Sequence, residues 1–249
     1  MRKTLWLWLF LFWGSPLLAD NSLHSFFYEG NRLYSEGKVK EAIEQYNRIL
    51  QEKKESSALY YNLGNSYYKI GEKGKALVAY KRALRQSPRD QELRYNLGLV
   101  QSQLKDQITP QPKNRLTQSY WNLVDSLSLF EWEVLFLAFY FLVFILLGIY
   151  LLFSSKRKVL FRFLTLTASL TLVVTVCFVG KSVKTAQRMA IVLAPEAQAR
   201  YGPSENDAAA FVLHEGGECR ILTTQNSWVQ IRLADGKMAW LPRRAVEII

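Results

Sequence analysis

Phe27, Tyr61 and Tyr95 stand 34 residues apart, and Tyr34 and Tyr68 repeat the same interval. Amides accompany them: Asn31 and Asn65 form one pair at that spacing, Asn62 and Asn96 another. Aromatic rings with carboxamides suit the recognition of an extended peptide. The rings supply apolar contact and the amides hydrogen-bond a backbone. The same tyrosines can instead pack between helices, so both uses stay open. No bond-making constellation competes with them: the sequence has no Ser/His/Asp order, no paired carboxylates in an apolar setting and no phosphate loop. His24 and His214 lie far apart without Cys or carboxylate at ligand spacing, so no metal or other cofactor is expected. Cys177 and Cys219 read as small buried hydrophobes rather than a redox pair.

The elements that position these residues follow from the period. Gly30, Gly64 and Gly98 are each 34 residues apart, as are Gly37 and Gly71, Ala42 and Ala76, Tyr46 and Tyr80. A fixed period of this length means stacked supersecondary units. Small residues mark close helix crossings, large ones fill the partner helix, and Gly37 and Gly71 end a helix in a left-handed turn. The second unit, with Tyr60, Leu63, Gly64, Tyr67, Gly71, Ala76, Tyr80, Ala83 and Pro88, resembles the tetratricopeptide repeat. The first carries Phe26, Gly30, Leu33, Gly37, Ala42 and Tyr46, with Glu29 where Leu is usual. A third start, Leu97-Gly98, has Gln101 where Tyr belongs and reads as a solvating cap helix over Gln91–Lys105. The resemblance implies an all-α repeat domain over 20–107. It also implies a groove lined by Phe27, Asn31, Tyr34, Tyr61, Asn62, Asn65, Tyr68, Tyr95 and Asn96. The family's carboxylate clamp is not implied, because Phe27, Glu92 and Asn96 occupy positions where basic residues belong.

Two uncharged runs come later, Val134–Phe153 and Phe163–Gly180. Twenty helical residues span roughly 30 Å, the thickness of a bilayer core, so a transmembrane helical hairpin over 134–180 is expected. Lys156, Arg157, Lys158 and Arg162 lie between the runs, which predicts a cytoplasmic loop over 154–162 with both flanks on the other side. Neither run holds an ionisable residue, which argues against transport. Residues 1–19 combine Arg2 and Lys3 with a short apolar core and end in Ala19, the pattern of a signal peptide; an uncleaved anchor is the alternative. The stretch 108–133 reads as a linker followed by an interfacial segment, with Trp121, Phe130 and Trp132 as an aromatic belt.

From residue 188 to 249 the period changes to short alternations, with a hairpin turn at Ala234–Lys237. A small all-β barrel of about five strands is expected. Arg200, Gly202, Pro203, Gly216, Trp228, Ile231, Asp235, Gly236 and Trp240 resemble the bacterial SH3-like pattern. Trp228, Trp240 and Pro242 would form its candidate ligand surface, although Ala245 stands where eukaryotic members carry a Tyr.

The net charge of +11 is dispersed: residues 20–107 hold 15 basic and 11 acidic side chains, residues 181–249 hold 9 and 7. Neither block is a nucleic-acid patch, and a surface beside anionic lipid is the simpler reading. The order of signal, repeats, two spans and SH3-like barrel resembles the E-type proteins of bacterial aerotolerance (Bat) operons. That resemblance implies a non-enzymatic, inner-membrane adaptor with both soluble domains periplasmic. Its implied partners are von Willebrand A-domain membrane proteins, in a complex linked to oxidative-stress tolerance. A cell-wall-binding sensor, with the barrel on peptidoglycan, is the alternative.

Overall fold

A computed structural model describes residues 20–109, 112, 114–153 and 156–249. The leader expected over 1–19 lies outside the described residues. The chain divides after Glu55 into two compact units.

In the first unit, α1 (Asp20–Ser35) and α2 (Val39–Gln51) form a helix pair. Gly37 turns the chain between them at φ 80°, a left-handed conformation that Gly adopts without a Cβ penalty. Ala42 and Tyr46 are fully buried, and the Tyr46 ring packs directly over Gly30. A Cβ on Gly30 would come within 2.5 Å of that ring, so glycine is what lets the two helices close.

The second unit begins with α3 (Ser57–Lys69), α4 (Lys73–Gln86) and α5 (Gln91–Ser102). Ser56 caps α3 by accepting from the Leu59 N–H at 3.1 Å, and Asp90 caps α5 by accepting from Glu92 and Leu93. Gly71, at φ 85°, turns α3 into α4, and Tyr80 lies over Gly64 as Tyr46 lies over Gly30. The local geometry thus repeats with the sequence.

A short helix, α6 (Arg115–Asp125), precedes two long apolar ones, α7 (Leu129–Leu152) and α8 (Arg157–Thr185). Their most apolar windows have mean hydropathies of 2.8 and 2.1 and are almost wholly uncovered by protein. Both are long and apolar enough to cross a membrane. Each extends past its apolar run: α7 starts five residues earlier, at a capping box between Ser128 and Glu131. The basic residues 157–162, expected as loop, instead form the first turns of α8, because Arg and Lys are good helix formers and no Pro or Gly interrupts them. Thr171 and Thr175 donate their hydroxyls to carbonyls one turn back, at 2.7 Å each, which satisfies them within the apolar helix.

At the open end of this helical pair α6 lies against both members. Trp132 Nε1 donates to the Val124 carbonyl at 3.0 Å, and Tyr120 donates to the Val176 carbonyl at 3.3 Å. Gly180 leaves room for the Tyr120 hydroxyl, which an added Cβ would strike. Val124, Trp132, Val174 and Cys177 form the small core of this junction.

The C-terminal part is an antiparallel sheet: β1 (Met189–Val192), β2 (Glu196–Arg200), β3 (Ala209–His214), β4 (Glu218–Gln225), β5 (Trp228–Leu233), β6 (Met238–Pro242) and β7 (Val246–Ile248). The order is β3-β2-β6-β5-β4-β1-β7, a barrel-like arrangement consistent with the SH3-like expectation. Seven strands replace the expected five or so: β2, EAQAR, is made of small and polar residues, and β3, AAFVLH, is an almost continuous apolar run, so neither shows a clear alternation. The β5–β6 turn falls at Gly236, at φ 95°, as the sequence predicts. Ile231, Val229 and Leu241 are fully buried in the core.

Candidate functional site

Tyr80, Asn65, Tyr61, Asn96 and Glu92 form one connected cluster across α3, α4 and α5. The Tyr80 hydroxyl donates to Asn65 Oδ1 at 2.6 Å. Asn96 Nδ2 reaches Asn65 Oδ1 at 3.3 Å and the Tyr61 oxygen at 3.4 Å, while the Tyr61 hydroxyl donates to Glu92. Partial burial, then the Glu92 carboxylate, push the Tyr61 phenol above its ordinary value. The ring stays protonated and remains a donor. Tyr68 accepts from Gln103 Nε2 at 2.7 Å farther along the same helices. Tyr95 stands clear, with 71% of its surface exposed.

In the first unit Phe27, Asn31 and Tyr34 are half-buried on α1. Tyr46 donates to Asn31 Oδ1 at 2.8 Å, and Phe27 packs 6.1 Å from the Tyr46 ring. Asn31 and Asn65 therefore tie the two helices of their own repeats together. In sequence those amides suit a ligand backbone instead. Asn62 is half-buried on α3. Glu92, read from the sequence only as a missing clamp base, emerges as the acceptor that orients Tyr61. Spacing alone gives no sign of it, since its partner lies 31 residues away on another helix.

The β-domain covers α4 and the end of α5. Glu215 Oε1 accepts from the Gly74 N–H at 2.7 Å, Lys81 pairs with Glu218 at 2.7 Å, and Arg82 pairs with Glu247 at 3.0 Å. Asp106 accepts from the His214 N–H at 2.6 Å and from its ring Nδ1 at 2.8 Å, and Lys105 reaches Nε2 on the far side of the ring at 2.7 Å. A lysine can only donate and a carboxylate only accept, which fixes the ring proton on Nδ1. These contacts fall on α4 and on the chain after α5. They leave Tyr61, Asn96 and Tyr95 uncovered by the β-domain.

On the β-domain itself, Trp228 and Pro242 are paired across β5 and β6 and line a groove of about 440 Å³ with Arg200 and Arg244. Trp240 lies opposite Gln230 and Arg200 and does not line that groove. Only 7% of Trp228 is exposed, so most of the ring is structural. Among the described residues no group of His, Cys, Asp and Glu could hold a metal ion.

Residues 30–71 and 64–105 match the family model of the TPR repeat. TPR repeats are typically non-catalytic modules that bind protein partners, and that coarse role applies to this segment. No curated protein matches the chain. Among solved structures, NlpC2 from Trichomonas vaginalis is similar over 26% of this chain and 26% of its own, at 16% identity and a TM-score of 0.24. The chain thus spans about a quarter of that structure, too little to bear on function.

Proposed function

We propose that this protein is a membrane-anchored adaptor whose TPR segment captures an extended peptide from a partner protein along α3 and α5. The observation that carries this reading is the exposed Tyr95 beside the Tyr61–Asn96–Asn65 cluster, on the face that the β-domain leaves open. The Asn96 carbonyl, oriented by the bonds its amide nitrogen makes to Asn65 and Tyr61, would accept from the peptide backbone, while Tyr95 and Tyr68 supply apolar contact. Asn62 extends the same row, and Phe27, Asn31 and Tyr34 hold the matching positions on α1.

In this reading α7 and α8 span the bacterial inner membrane, residues 154–162 face the cytoplasm, and the repeats and β-domain share the periplasm. The positive-inside rule supports that orientation. The order of elements, resembling E-type proteins of Bat operons, supports von Willebrand A-domain membrane proteins as partners in oxidative-stress tolerance. The test is affinity capture from detergent extracts by the full chain. Tyr95→Ala should reduce partner recovery at least several-fold with unchanged helical content. Full recovery by a folded Tyr61→Ala/Tyr95→Ala double variant would sink the assignment.

A second reading rests on the Trp228–Pro242 groove, where Arg200 and Arg244 stand with Glu196 and Glu205, and would place the β-domain on cell wall. Co-sedimentation of the full chain with peptidoglycan, lost on Arg244→Ala, would favour it. No sedimentation removes it.

A further inference from the structure

A cavity of about 600 Å³ opens where α4, α5, α6, the end of α8 and β1 converge. Five cationic side chains line it: Lys81, Arg85, Arg94, Lys181 and Lys184. Only two carboxylate side chains face them, Asp125 and Glu218. The pairing leaves positive charge over. Lys181 and Lys184 share Asp125, with Lys181 at 3.4 Å. Glu218 pairs with Lys81 and also accepts from Gln101. Arg94 donates to the Pro88 carbonyl, which carries no charge. Arg85 has no anionic partner among the described residues. Surrounding protein and the nearby Arg82 push its guanidinium below its ordinary value, although solvent still reaches it. Lys181 is enclosed, with 12% of its side chain exposed. Concentrated like charge of this kind is unfavourable unless an anion joins it.

The position of the cavity says which anion. The apolar run of α8 ends at Gly180, so Lys181 and Lys184 lie within about 6 Å of that end along the helix axis. That is the depth of lipid phosphates on the side that α6 covers. Leu84, Leu97, Leu129 and Met189 give the wall an apolar part beside the polar Thr185 and Gln187, as a glycerol backbone and the start of an acyl chain require. Oxyanions bind guanidinium groups through charge-assisted hydrogen bonds, and Arg85 has that capacity unspent.

We infer that this cavity is a binding site for the phosphate of an anionic phospholipid headgroup, held by Arg85, Lys181 and Lys184. The site is independent of the peptide face, so either assignment can fail without the other. It gives the junction of the three parts a lipid at its centre and makes their packing sensitive to membrane composition.

The experiment uses delipidated full chain in detergent, native mass spectrometry to count retained lipid, and thermal unfolding by circular dichroism. Phosphatidylglycerol should be retained at roughly tenfold lower concentration than phosphatidylcholine and should raise the melting temperature. Arg85→Gln, at a solvent-reached position that folding tolerates, should weaken phosphatidylglycerol retention about tenfold, and Arg85→Lys should restore most of it. Equal retention of both lipids, or unchanged retention by folded Arg85→Gln, overturns the site. Inorganic phosphate that stabilises the chain and displaces phosphatidylglycerol overturns the lipid assignment in favour of a free oxyanion.

Discussion

The Tyr80 hydroxyl donates to Asn65 Oδ1 at 2.6 Å, and 34 residues earlier Tyr46 makes the same bond to Asn31 at 2.8 Å. The repeat is thus written in hydrogen bonds as well as in helices. Each tyrosine fills the space its glycine leaves and anchors its oxygen to the facing amide. Tyr80→Phe keeps the ring over Gly64 and removes only the anchor. Because Asn96 still donates to Asn65, the expected loss is modest, about 1 kcal/mol. Urea unfolding of the full chain in mild detergent, followed by helical signal, measures it.

Gly64→Ala should cost more. The new Cβ would lie 2.5 Å from the body of the Tyr80 ring, which must shift and give up its bond to Asn65. A loss of roughly 1–3 kcal/mol is expected, by the same unfolding measurement. A cost smaller than that of Tyr80→Phe would show that the helices separate freely here.

Asp106 holds the β-domain through the backbone and the ring of His214 together. Asp106→Ala leaves the His214 N–H without its acceptor. Amide exchange at His214 and its β3 neighbours should rise roughly 5- to 150-fold if the lost contact is worth about 1–3 kcal/mol, while exchange on β5 stays unchanged. Hydrogen exchange with mass spectrometry resolves the two strands.

Cys219 is buried against the Ala190 carbonyl, and burial pushes its thiol up from 9.0 to about 12. The unfolded chain therefore releases this proton earlier than the folded one does. The contribution is fully present below pH 9.0 and is lost as pH rises towards about 12, at up to about 1.4 kcal/mol per pH unit. Cys219→Ala should flatten that alkaline limb in denaturation curves. In a Cys177→Ser background, iodoacetamide should modify Cys219 at pH 8 only on unfolding.

Much of this was legible in the sequence because its causes are local. The glycine turns at Gly37, Gly71 and Gly236 follow from backbone sterics, and the two apolar helices follow from length and composition alone. The helix pairs follow from the 34-residue interval. What was not legible depends on partners distant in the chain. Glu215 reaches Gly74 across 141 residues, and nothing near either residue announces the other. The candidate peptide face was visible as tyrosines and amides at fixed spacing. Which of those amides were already engaged was not, because Asn65 looks the same in sequence whether it meets Tyr80 or a ligand. The basic stretch 157–162 reads as loop in the sequence for a related reason: charge signals the side of a membrane, and it does not signal where a helix begins.

Leu77 on α4 is fully buried, and together with Leu104 it lies against Gly216 of the β-domain. The second repeat is therefore a shared wall, with one side belonging to the repeat stack and the other to the sheet. A chain cut after Thr185 would keep every described α-helix and yet present a raw surface where the sheet had been. These parts cannot be exchanged between proteins like cassettes, and a change of sequence on one side of α4 constrains what the other side can become.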